Sequence, residues 1–353
     1  MSAARLETAP YKYGYNCAFG KPHASVWLRA HVDNNTASVV LSISRILIIR
    51  GGIRLTGILN VLKPPGMTSF DVVARLRRQL NVKKAGHCGT LDPGAAGVLP
   101  VCVGTATGVT GLLTESDKAY RVEAICGLRT DTLDISGAVL DRRDEIMPER
   151  ERFETALTAF LGAGTQLPPM FSAVKAGGQK LYKLARKGIE TERTPRSIVI
   201  YALKTVYYGR KRVIFDVECS KGTYIRSLCL DIGEYLGLNL CVSFLLRTRS
   251  AGFYLNDALP LAEIEERARA GAADDLLIPA DTLFTTYPEI RLIENQYSAY
   301  MNGASVILRE SYAEASGDAA QNVRVYYENR FLGLGMLSLD ETRATRLRVK
   351  KFL

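Results

Sequence analysis

Gly86-His87-Cys88-Gly89-Thr90-Leu91-Asp92-Pro93-Gly94-Ala95-Ala96-Gly97-Val98-Leu99-Pro100 is the stretch from which the rest of this chain is read. It holds one carboxylate, one of the chain's three histidines, four glycines and two prolines. Proline lacks the backbone N–H and glycine is too free in both regular structures, so the stretch reads as a shaped loop, neither a regular helix nor a central strand. The Asp92-Pro93 step biases Asp92 away from the helical region, and the glycines permit tight turns and close approach of a ligand or another backbone. A solvated Asp-Pro-Gly turn is the ordinary alternative. The apolar residues on both sides argue against a loop that is solvated throughout.

The words of this stretch resemble the active-site loop of the TruB family of tRNA pseudouridine synthases, whose catalytic residue is the aspartate of the motif. The match runs from Gly86 through Pro93 and on through Gly97-Val98-Leu99-Pro100, with Gly89 and Thr90 as supporting positions. Cys88 is a departure, since the family more often has Thr there, and it touches neither the acid nor the histidine. A second match is Lys221-Gly222-Thr223-Tyr224-Ile225-Arg226. By resemblance its arginine, Arg226, pairs with the catalytic aspartate, and Tyr224 lines the uracil pocket. The same likeness places Tyr120 of Lys118-Ala119-Tyr120 against the target base, Leu245 in contact with it, and His87 in the space left by the flipped base. Lys63-Pro64 matches the opening motif, and Thr130 to Asp134 also follows the family pattern.

Residues 1–56 precede the resemblance and read as an N-terminal extension. Their apolar run Val39 to Ile49 is too short to span a bilayer and lies too far in for a secretory signal, though it is long enough for a strand. From Gly57 the order improves. Ile58 to Leu62 reads as a strand, and Thr68 with Asp71 three residues on reads as a helix cap. Val72, Val73, Leu76 and Leu80 then share a helical face. Arg75, Arg77 and Arg78 around that face suit either solvent or phosphate. Thr105 to Leu113 reads as a helix. Lys118 to Ala124 reads as a strand whose Tyr120, Val122, Ala124 and Cys126 share one face. Residues 150–162 read as an amphipathic helix. Lys180, Tyr182, Lys183, Arg186 and Lys187 form a basic patch around an aromatic ring, which suits either an ordinary helix surface or nucleic acid. Ser197 to Tyr207, Val213 to Cys219 and Leu240 to Thr248 read as strands. Ile225, Leu228, Cys229 and Ile232 form the buried face of a helix with Arg226 in its first turn, where a cation gains nothing from the helix dipole and wants a specific anion. Residues 260–283 read as helical. Beyond Tyr287, Val323 to Tyr327 and Phe331 to Met336 read as a hairpin, followed by a basic end, Arg343 to Lys351.

These readings give a mixed α/β chain: an extension (1–56), a catalytic domain (57–285) and a small β-rich C-terminal domain (286–353). The resemblance implies the pseudouridine synthase fold, a largely antiparallel central sheet with flanking helices, followed by a PUA-like RNA-binding domain. Length alone allows two or three domains. The net charge of +10 and pI near 9.2 favour a polyanion as partner. Seven cysteines without a C-x-x-C pair read as free thiols in a reducing compartment, here the cytoplasm. Three scattered histidines offer no metal site, and no Walker loop or dinucleotide fingerprint is present, so no cofactor is expected.

Taken alone, the residues offer one carboxylate in a rigid loop, an arginine and aromatic rings for a flat base. A carboxylate held by an arginine favours its charged form and is a candidate nucleophile. Glycoside hydrolysis needs two acids, and no second acid in a comparable setting is legible. Isomerisation of uridine to pseudouridine needs neither a second acid nor an external reactant. The resemblance implies the T-arm-loop uridine of tRNA, position 55 in tRNA numbering, flipped from its loop. It further implies a bacterial, stand-alone, monomeric enzyme with no membrane and no obligate protein partner. Attack of Asp92 at C1′, attack at the uracil ring and proton abstraction at C2′ all remain open from sequence. So do an RNA-binding or RNA-folding protein of the same fold and a synthase acting on another RNA.

Overall fold

Two strands that are apolar at almost every position set the architecture. In β1 (Gly57–Lys63) and β3 (Ala96–Val103) nearly every residue is buried, the pattern of strands covered on both faces. The structure is a computed structural model, and it describes residues 55–308, 320–339 and 344–353. Between and after these strands come α1 (Ser69–Gln79), β2 (Ala85–His87), α2 (Thr110–Thr114), β4 (Lys118–Cys126), β5 (Leu128–Thr130), β6 (Val139–Arg142) and α3 (Arg150–Ala159). Next are β7 (Gly162–Gln166), β8 (Lys175–Ala176), β9 (Gln179–Lys180), α4 (Leu181–Ala185), β10 (Arg196–Tyr208), β11 (Arg212–Cys219), α5 (Ile225–Leu236) and β12 (Leu240–Ser250). The chain continues through β13 (Phe253–Tyr254), β14 (Leu259–Pro260), α6 (Leu261–Arg269), β15 (Glu289–Leu292), α7 (Glu294–Met301), β16 (Val306–Ile307), β17 (Gln321–Tyr327), β18 (Arg330–Leu339) and β19 (Thr345–Phe352).

The main sheet runs β14-β1-β3-β12-β4-β11-β10-β7, with β13 paired to β12 and β2 to β3. It is antiparallel except at β1 with β14 and β12 with β3. One face carries α3 and α5: Phe153 and Leu157 meet Val122, Phe215, Leu228 and Ile232 in one apolar cluster. Another cluster joins α1 and α6 to β1 and β3 through Val72, Leu76, Ile264, Leu59 and Val101. Burying each such side chain contributes roughly 1.5–3 kcal/mol. The second sheet, β15-β17-β18-β19-β16, is the β-rich C-terminal element and fits a PUA-like domain. It meets the first through Leu334, Phe331 and Leu353, and the carbonyl of Phe352 lies where a side chain on Gly108 would stand.

The capping box at Thr68 and Asp71 forms as expected, and β4 buries Tyr120, Val122, Ala124 and Cys126 together. The hairpin of β17 and β18 also forms. Three expectations need correction. Ala96 to Pro100 belongs to a central strand, so the loop is only residues 88–95. Pro100 is tolerated because its carbonyl accepts from Cys88 N (2.8 Å). N and O of one strand residue point to the same side, so the missing N–H costs nothing to the ladder with β1. Second, helix over 260–283 stops at Arg269. Gly271 turns the chain with φ 73°, and two short 3-10 turns follow, Asp274–Leu276 and Ala280–Phe284. Third, Thr105 to Leu113 is a 3-10 turn (Gly104–Val109) leading into α2. The strand expected over 39–49 and nearly all of the extension lie outside the described residues. Thr56, the last residue assigned to the extension, bonds Thr105 and Val103 O. Six cysteines are buried free thiols, and Cys17 is outside the described residues. Among the described residues no helix is long and apolar enough to cross a membrane.

Candidate active site

The loop from Cys88 to Ala95 is held from beneath by buried side chains that take up its carbonyls. Lys63, fully buried at the end of β1, donates from Nζ to Pro93 O (3.2 Å), Ala95 O (2.7 Å) and Pro64 O (2.7 Å). Burial lowers its ammonium to about 8, against the pull of Asp92, which favours the charge. Arg247 of β12, 1% exposed, donates to Val98 O (2.8 Å), Thr90 O (3.2 Å) and Gly89 O (3.2 Å). Ser69 at the start of α1 both donates to Leu91 O (3.1 Å) and accepts from Leu91 N (2.9 Å). Gly97 (φ 117°) lets the loop's exit lie on the backbone of Arg247: a Cβ there would stand 2.2 Å from its carbonyl oxygen. With its backbone taken up in this way, the loop presents Asp92 with its carboxylate about one-third exposed.

Across from it stands Arg226, in the first turn of α5 and 5% exposed. Its Nε donates to Asp92 Oδ2 (2.8 Å), Nη1 to Thr132 O (2.6 Å) and Nη2 to Phe171 O (3.0 Å). The specific anion expected for this arginine is thus Asp92. A second carboxylate, Asp134 Oδ2, lies 3.8 Å from Nε. This corrects the expectation that no second acid shares the setting. Asp134 Oδ1 accepts from Thr132 Oγ1 (2.8 Å) and from Ser136 N (2.9 Å). The carboxyl is therefore taken up by its own turn, with Oδ1 already accepting these hydrogen bonds.

Tyr120 lies opposite Arg247 in the register of β4 and β12, buried, and burial pushes its phenol up to about 12 against Arg247's opposing charge. Leu245, 7% exposed, packs in the cluster that contains Tyr120, Leu91 and Ala95. Tyr224 caps α5 with its backbone, and its phenol is raised, chiefly by burial, with Asp92 adding and Arg196 and Arg226 opposing. Asp92, Arg226, Tyr224, Tyr120 and Leu245 are therefore neighbours on one side of the loop. His87, at the end of β2, also feels Arg247: burial first, then that charge, lowers its imidazole, against a backbone hydrogen bond at Gly89. Gly89 and Thr90 contribute carbonyls. Arg75 is taken by Glu265 of α6 and does not lead into the site. Tyr182 on α4 has Lys180 and Arg186 5.8 and 5.5 Å from its ring centre. Arg247, Ser69 and Asp134 were missed by sequence reasoning. The signal for Arg247 was a long cation inside the apolar run Leu240 to Thr248.

Such a site suits work on a flat ring by one carboxylate. The fold agrees: chains in a solved Cbf5-Nop10-Gar1 complex (TM-score 0.61, 25% identity, 84% of this chain and 85% of that one) share it. So do chains in an H/ACA RNP bound to a substrate RNA (TM-score 0.60, 22% identity, 84% of each chain). This is the pseudouridine synthase fold. The description "TruB family pseudouridylate synthase (N terminal domain)" matches residues 77–225. The tRNA pseudouridine synthase B of Alkaliphilus oremlandii (strain OhILAs) is 41% identical over 304 residues, 85% of this chain and 99% of that protein. That of Moorella thermoacetica (strain ATCC 39073 / JCM 9320) is 49% identical over 231 residues, 64% of this chain and 75% of that protein. The chain belongs to the TruB family.

Proposed function

We propose that this chain isomerises uridine to pseudouridine in tRNA, at the T-arm-loop uridine (position 55 in tRNA numbering), with Asp92 as the catalytic residue. The observation that carries this reading is the Arg226–Asp92 pair at 2.8 Å, mounted on a loop whose carbonyls are already taken by buried cations. The target base leaves the RNA stack to reach Asp92, at a cost of a few kcal/mol offset by stacking and edge contacts. Tyr120, Tyr224 and Leu245 receive its faces, and His87 fills the space it vacates. Asp92, hydrogen-bonded by Arg226, attacks C1′ as the N1–C1′ bond breaks, the uracil turns, and C5 bonds to C1′ as the carboxylate leaves. The C5 proton goes to solvent and N1, freed from C1′, takes up a proton from solvent, so atoms and charge balance without redox change.

Arg226 holds the carboxylate in line, and Asp134 and Thr132 hold Arg226. Lys180, Tyr182 and Arg186, with the basic strand β19, suit the phosphates of a folded RNA. Residues 286–353 act as an RNA-binding domain behind a catalytic domain of 57–285. The chain works alone, as a monomer in the cytoplasm, on bare tRNA. Tritium release from C5-labelled uridine in an unmodified tRNA transcript tests this. The wild type releases tritium without added protein or guide RNA, and D92N does not. Turnover by D92N ends the proposed role of Asp92, and no release by a wild type that still binds tRNA ends the proposed activity.

A further inference from the structure

We infer that Gln166 is a positioning residue: it clamps the first turn of α5 and thereby sets Arg226 and Tyr224 against Asp92. Helix α5 begins without a side-chain cap, because its N-cap residue is Tyr224, whose ring cannot reach back to the first amides. Gln166, 3% exposed, supplies what is missing from 58 residues away. Tyr224 N donates to Gln166 Oε1 (2.7 Å), and Gln166 Nε2 donates to Tyr224 O (3.0 Å). The same carbonyl accepts the helix's first bond, from Leu228 N (3.0 Å).

Gln166 is itself fixed, being the last residue of β7 and paired with Arg196 of β10. The segment that follows it continues along the helix start. Leu167 O accepts from Ser227 Oγ (3.3 Å), and Phe171 O from Arg226 Nη2 (3.0 Å). Residues 166–171 therefore act as a template for Tyr224, Arg226 and Ser227, and Gln166 is its one two-point contact. Among the described residues Tyr224 N has no other acceptor, so an apolar side chain at 166 leaves a part-buried donor unpaired and the helix start free to shift. A displacement near 1 Å at such a site lowers turnover roughly 100-fold.

This inference rests on the proposed activity. Steady-state tritium release is measured for the wild type, Q166L, R226K, the double variant, and F153L as a core-destabilised control. Q166L is expected to lower kcat roughly 30-fold with KM for the tRNA changed less than about threefold. F153L, with a comparable loss of Tm, keeps kcat. On the R226K background, Q166L is expected to cost clearly less than it does in the wild type, because the part of its effect that acts through Arg226 is already gone. A Q166L kcat within about twofold of wild type, or a full loss that repeats on R226K, overturns the inference. Hydrogen exchange at amides 224–228 reads the clamp without reference to activity. It is expected to quicken about tenfold in Q166L, and unchanged exchange overturns the clamp even if the proposed activity itself fails. If Q166L does not fold, Q166M, unbranched and of similar length, carries the same measurements.

Discussion

The two buried arginines beside the Asp92 loop do opposite things. Arg247 lies beneath it, 1% exposed, and donates to the carbonyl oxygens of Gly89, Thr90 and Val98, with the Tyr120 phenol against it as well. Arg226 lies in front of it, 5% exposed, and meets a carboxylate as well as carbonyls. A guanidinium whose donors go chiefly to backbone carbonyls fixes the path of a chain. One that keeps a donor for a carboxylate holds a reacting group. Lys63 belongs with Arg247, since its three acceptors are also backbone carbonyls. Asp134 and Thr132 belong with Arg226. The difference is one of partners, since both cations are buried to nearly the same degree.

If the comparison is right, removing chemistry and removing support separate in experiment. D92N is expected to cut turnover below about one-thousandth while moving Tm by no more than about 2 °C, read by tritium release and calorimetry. R226K keeps the charge but loses the fork that serves Asp92, Thr132 O and Phe171 O at once. Turnover is expected to fall roughly 100-fold, with KM little changed. R247M reverses the order. Three buried carbonyls lose their donor, so stability falls by roughly 2–4 kcal/mol in urea unfolding while turnover drops only about tenfold. An R247M protein as stable as wild type would erase the distinction between the two arginines.

The pH dependence of Lys63 sharpens the same point. Burial holds its folded value at about 8 against an ordinary 10.5. Between these values the unfolded chain binds more protons than the folded one, so this group's contribution to stability rises with pH across that window and is lowest below it. The rise is ~3 kcal/mol at most. K63M is expected to lack it, which urea midpoints taken near pH 7 and about pH 10 in both proteins will check. The smallest effect belongs to T68A, which removes the cap of α1 and is expected to cost about 1 kcal/mol with little change in turnover.

Local rules carried much of this molecule. The box of Thr68 and Asp71 closes because both partners lie three residues apart. The burial alternation of β4 is a property of period two, and α5's face one of period 3.6. Asp92, Tyr224 and Arg226 were legible because two long motifs carry them, and Tyr120 and Leu245 because shorter stretches share the same family likeness.

What adjacency in sequence could not express was decided by the fold. Pro100 and Gly97 look like loop residues, yet they sit in a central strand because their awkward backbone faces the loop and the backbone of Arg247. Asp134 was legible only as one residue of a polar loop in the family pattern, and the turn Thr132–Ser136 folds it to within 3.8 Å of Arg226. Gln166 carries no role in the sequence until Tyr224 comes to lie against it. Sequence by itself determined which residue types and periods were available, since propensity, capping and alternation act within a few residues. Only tertiary structure decided which cation meets a carboxylate and which meets carbonyls, since that depends on packing between strands and helices far apart in the chain.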